Sequence, residues 1–136
     1  MKLTKQTADI FVPDGTDAAD ALARTTHLGI GAHQDDLEFM ATHGILACFG
    51  QSGKSFTGVV CTDGAGSSRT GVYADYTDEQ MKQVRRLEQR TAAMVGRYGA
   101  MLQLDFSSKE VKARDNESVV KDLFEILQAS RPAAIY

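Results

Sequence analysis

The sequence predicts an α/β fold on a mainly parallel sheet, and two observations carry that prediction. From about Leu28 onward, short apolar runs alternate with segments of helical spacing, the pattern of βαβ units. The most chemically loaded segment, His33-Gln34-Asp35-Asp36, falls directly after the first of those runs, where a strand hands over to a helix. At 136 residues, with 43% apolar and 24% charged content, the chain has the size and composition of one globular domain.

Each element has a local reason. Asp9 to Val12 reads as an edge strand, and Asp17 to Ala23 as a short helix after the Pro13-Asp14-Gly15 turn. Leu28 to Ala32 is a short buried strand. Leu37 to Phe49 follows as one helix, with Leu37, Met40, Ala41, Gly44 and Cys48 spaced for a single face and Gly50 ending it. Ser55 to Thr62 is the second strand of the alternating series, through Phe56, Val59 and Val60. A long polar loop then runs from Thr62-Asp63-Gly64 to about Thr77, and a loop of that length in a compact domain is usually functional or mobile. Thr77-Asp78-Glu79-Gln80 is a capping box opening the longest helix, which runs toward Tyr98 with Gly99 as its stop. Met101 to Phe106 is the next strand, Glu117 to Ala129 a helix with Val120, Leu123, Phe124 and Leu127 at helical spacing, and Pro132 to Tyr136 a fourth core strand. No helix follows to cover that strand, so we expect a fold truncated there. No internal repeat divides residues 1–136, which we take as one domain.

Composition excludes several classes. A net charge of −3, a pI near 5.5 and no cluster of Lys and Arg among aromatics argue against nucleic acid as a partner. No apolar run approaches the roughly 20 residues that span a bilayer, and the amino terminus has no signal-like apolar core, so we expect no membrane association and a cytoplasmic protein. Cys48 and Cys61 belong to no CxxC pair and read as small core residues.

Imidazole nitrogen and carboxylate oxygen are good zinc ligands, and one turn can aim His33 and Asp36 at a single ion. Asp35 then lies beside the ion, placed to take a proton from bound water. Taken in isolation, His-x-Asp-Asp reads better as a helix N-cap with a core histidine, since carboxylates favour helix starts regardless of chemistry. Its place at the carboxyl end of a parallel strand, where open α/β sheets bind ligands, favours the metal.

The segment Gly31-Ala32-His33-Gln34-Asp35-Asp36-Leu37-Glu38 resembles the signature of the PIG-L/LmbE-like zinc deacetylases, Ala-His-Pro-Asp-Asp followed by a nearby Glu. Gly44, Thr62-Asp63-Gly64 and Arg85-Arg86-Leu87-Glu88 with Ala92-Ala93 resemble later stretches of that family, so the likeness spans roughly Leu28 to Tyr136. Gln34 stands where proline is commoner, a departure that alters turn stiffness rather than a ligand. The resemblance implies a Rossmann-like three-layer fold, Zn2+ or another divalent metal held by His33 and Asp36, and Asp35 as the general base that deprotonates the metal-bound water. It implies a small N-acylated substrate such as an amino sugar, met by Arg85; Arg69, in the long loop, is a weaker candidate for bidentate contact with a sugar or carboxylate. The family's third ligand is a histidine just after the strand that Pro132 to Tyr136 resembles; that segment is not in this sequence, so we expect the chain as given to be a catalytically incomplete fragment. His43 lies roughly 10 Å of helix beyond Asp36 at 1.5 Å per residue, too far to share an ion, and we expect it and His27 to be structural or solvated.

Two other chemistries fit parts of the pattern. Water activated beside a carboxylate could add to a double bond, making a hydratase of a small unsaturated acid, and product analysis separates the two. A receiver-like signalling domain would use the acidic pair for magnesium and Asp105 for phosphorylation, but gives His33 no role. A non-catalytic fragment whose sheet edge pairs with another chain, giving a homo-oligomer, is a third reading.

Overall fold

A computed structural model describes residues 1–136, and its five strands form one sheet. In chain order the elements are β1 (Asp9–Phe11), α1 (Ala18–Ala23), β2 (His27–Gly31), α2 (Asp36–Met40), α3 (Thr42–Cys48), β3 (Phe56–Thr62), α4 (Asp78–Val95), β4 (Ala100–Phe106), α5 (Ser108–Lys112), α6 (Ser118–Ser130) and β5 (Ala134–Ile135), with one 3-10 turn at Gly71–Tyr73. The strand order is β1-β4-β3-β2-β5. All neighbours pair in parallel except β1, which runs antiparallel to β4 with Ile10 opposite Leu102. From β2 the chain steps one way to β3 and β4, then returns to set β5 on the other side of β2. The carboxyl end of β2 is therefore the point where the winding reverses, the ligand-binding place of open parallel sheets.

The sheet is the middle of three layers in a Rossmann-like arrangement. One face packs Leu28, Val59, Leu102 and Leu104 against Ala21 and Leu22 of α1 and Val119 and Ile126 of α6. The other packs Val60 and Met101 against Leu37, Ala41 and Ile45 of α2 and α3 and Ala93 of α4. Neighbours Val59 and Val60 thus serve opposite faces, as strand alternation requires, and all seven residues of the central β3 are buried.

Several local expectations shift. The single helix expected over Leu37 to Phe49 is two, because Ala41 leaves helical geometry at φ −109°, ψ 13°. Alanine gives no local stop signal, so packing makes this break: Ala41 is fully buried against the sheet, and Met40, expected on the inner face, is exposed. Beyond it Gly44 lies under the Tyr136 ring, where an added Cβ would sit 2.4 Å from a ring carbon. Helix α4 stops at Val95 rather than near Gly99. Arg97 turns left-handed at φ 52°, and the N–H groups of Arg97 and Tyr98 bond the carbonyls of Met94 and Ala93, a Schellman closure without glycine at its left-handed position. Helix α5 was not expected, although Ser107 and Glu110 form a reciprocal capping box. In α6 the buried residues are Val119, Asp122, Ile126 and Ser130, while Val120 and Phe124 face out. Asp122 is buried because its carboxylate accepts from the backbone N–H and hydroxyl of Thr4, fastening the amino-terminal segment. No helix is long and apolar enough to cross a membrane.

Candidate metal centre

The chain leaves β2 at Gly31 and makes a tight turn before α2, and backbone handedness there separates the two acids. Asp35 is left-handed, φ 75° and ψ −21°, a conformation that aspartate tolerates better than most residues. Asp36 folds back on His33: its Oδ2 accepts the His33 backbone N–H at 2.8 Å and lies 3.6 Å from the imidazole Nδ1. Asp35 points instead to α4, where its Oδ2 accepts from Arg85 at 2.6 Å.

One face of α4 is the wall behind this turn. Arg85, at 17% side-chain exposure, also pairs with Glu88, and these two carboxylates outweigh the burial that opposes its charge, so its pKa is raised. One turn on, the buried Gln89 accepts the Asp35 backbone N–H at 3.0 Å and donates to Glu38 Oε1 at 3.0 Å. The Tyr98 hydroxyl donates to the same Glu38 oxygen at 2.7 Å, and burial, then that bond, pushes the phenol far above its ordinary range.

Gln34 is buried and donates from Nε2 to the carbonyl of Thr62, tying the motif turn to the end of β3. Gly64 makes that approach feasible. It sits at φ +78°, and a Cβ there would lie 2.7 Å from Arg85 Cβ and 2.8 Å from Gln34 Oε1. Beside His33 a cavity of about 240 Å³ is lined by Thr62, Gly64, Gly66, Ser67 and Ser108.

The donor chemistry at the turn fits a zinc-like ion in part. Bonds of about 2.0–2.1 Å in a tetrahedron set ligand atoms about 3.4 Å apart, close to the 3.6 Å between His33 Nδ1 and Asp36 Oδ2. No third His, Cys, Asp or Glu joins them. Gln34 Oε1, Glu38 Oε2, Thr62 Oγ1 and Arg85 Nε are buried without a protein partner, and Gln103 Oε1 is the one such atom on a residue outside the turn and its supports. An unpaired buried polar atom costs about 1–3 kcal/mol, and clustering of such atoms is a feature of functional sites rather than of a helix cap.

The structure thus brings His33, Asp35, Asp36 and Arg85 together, with Arg85 on Asp35 itself. Arg69 lies apart: its guanidinium donates to the carbonyls of Tyr76 and Ala65 and pairs with Asp78, which closes the long loop on itself. The His27 and His43 rings both pack on Tyr136. Asp105 is paired with Arg86 at 3.0 Å and bonded by Thr7, so it is not the free carboxylate that a receiver-like reading needs. Gln34 and Gln89 support the site through long-range bonds that local sequence does not mark. Gln34 was legible only as a departure from proline, and Gln89 only as a polar residue four positions after Arg85.

A family model described as PIG-L, GlcNAc-PI de-N-acetylase, matches residues 28–136. No curated protein and no solved structure matches the chain.

Proposed function

The chain belongs to the PIG-L family, which makes it a deacetylase-type hydrolase, and on that premise we propose that it removes an N-acyl group from an amino sugar or similar small molecule with a metal at the motif turn. His33 and Asp36 would hold the ion. Zinc there would supply Lewis acidity, acidifying water and polarising an amide carbonyl. Asp35 accepts the proton that water gives up; its left-handed backbone turns its carboxylate away from the pair and onto Arg85. Arg85 orients that carboxylate and stabilises its charge, and the hydroxyls of Ser67 and Ser108 beside His33 offer hydrogen bonds to a polar substrate.

One observation carries the reading. Two adjacent acids face different ways, Asp36 toward the imidazole at 3.6 Å and Asp35 toward a guanidinium at 2.6 Å. A helix cap needs no such division, whereas a ligand beside a base does.

The experiment is acetate release from N-acetylglucosamine by the zinc-equilibrated chain and its Asp35→Asn variant. Turnover should fall about 100-fold or more in the variant, the range of general-base loss. Equal turnover in both would remove Asp35 as base, and a hydroxylated product without acetate, from an unsaturated acid, would favour the hydratase chemistry.

A further inference from the structure

We propose that Gln89 is the positioning residue of Asp35, a role that rests on the deacetylase reading for its catalytic meaning but not for its geometry. The carboxylate of Asp35 is held from α4 by Arg85, and its backbone is held separately, by the Gln89 side chain on the same helix face four residues on. Left-handed backbone at a non-glycine residue persists only where its surroundings enforce it. Gln89 Oε1 accepts the Asp35 N–H at 3.0 Å, and no other acceptor in the chain takes that group.

The amide of Gln89 is itself fixed. Its Nε2 donates to Glu38 Oε1, which Tyr98 also engages, so which end of the amide faces Asp35 is set by the carboxylate on its other side. Gln89 is 1% exposed and touches neither His33 nor Asp36 by a hydrogen bond. Its contribution is therefore to the place of the base and not to the metal pair. Glu38, four residues beyond Gln34, belongs to the same chain of contacts, so the Gln89 amide ties α4 to both the motif turn and α2.

The test is amide hydrogen exchange by NMR on the metal-free chain and on Gln89→Met and Gln89→Glu variants. Methionine approximates the shape of glutamine without an acceptor oxygen, and glutamate retains one, sharing a proton with the Glu38 carboxylate in place of the amide donor because two carboxyls this close do not both ionise. The Asp35 amide should be protected in the unaltered chain, exchange about tenfold faster or more in Gln89→Met, and recover most of its protection in Gln89→Glu, with the β2 and β3 amides unchanged in all three. In the acetate assay Gln89→Met should lower kcat about 10- to 100-fold at unchanged KM, as expected for a displaced base.

An unprotected Asp35 amide in the unaltered chain overturns the role whatever the variants do, and so does equal protection in a folded Gln89→Met. Protection lost in Gln89→Met without acetate release by the unaltered chain supports the positioning and contradicts the deacetylase reading instead.

Discussion

Asp35 and Asp36 are the same amino acid one bond apart, and a change of sign in φ gives them different partners. The chemistry of the turn was legible because His33, Asp35 and Asp36 are adjacent in sequence. Its supports were not, because Gln34 bonds Thr62 across 28 residues and Gln89 bonds Asp35 across 54, and nothing in local spacing marks such pairs. Gly64 offers a residue-scale prediction. Alanine there meets both a left-handed backbone and Arg85 at 2.7 Å, so Gly64→Ala should destabilise by more than about 1 kcal/mol, read as a lower urea midpoint. A variant as stable as the unaltered chain would show that the loop and α4 can part without cost.

At the scale of elements, the capping box at Thr77 and Gln80 was readable from sequence, and the structure forms both of its bonds. The end of the same helix was not, since Arg97 takes the left-handed place normally given to glycine. Thr77→Ala should cost about 1 kcal/mol, measured by chemical denaturation, and a neutral result would mean that tertiary packing alone holds the start of α4. Helix α5 supplies a pH prediction. Lys5 first, then Ser107, hold the Glu110 carboxyl down to about 2. A carboxyl depressed on folding stabilises fully above its unfolded value and loses that stabilisation as pH falls through the folded one. Glu110→Gln should therefore lessen the fall in stability between about pH 4.5 and pH 2 and leave the shape of the profile above it unchanged. An unchanged acid limb would show that the pair contributes nothing measurable, as exposed ion pairs can.

For the whole molecule, alternating apolar runs and helices were enough to predict a parallel α/β sheet, because buried parallel strands are continuous and apolar and must be joined by crossovers. Strand order was beyond reach, since it depends on which way each crossover turns; the return of β5 to the far side of β2 is what puts the motif at the reversal point. Both cysteines are buried in this framework, and burial raises both thiols, Cys61 to about 11. Thiol-specific reagents at neutral pH should modify them only as fast as the chain unfolds, and rapid labelling of the native chain would contradict the packing of β3 or α3.

The central claim is that His33 and Asp36 hold a metal while Asp35 stands beside it. Zinc stoichiometry of the purified chain, measured with His33→Ala and Asp35→Asn in parallel, tests that claim without a substrate. Near-stoichiometric zinc in the unaltered chain and in Asp35→Asn, lost in His33→Ala, is the predicted result. Zinc retained in His33→Ala, or lost as fully in Asp35→Asn, would contradict it.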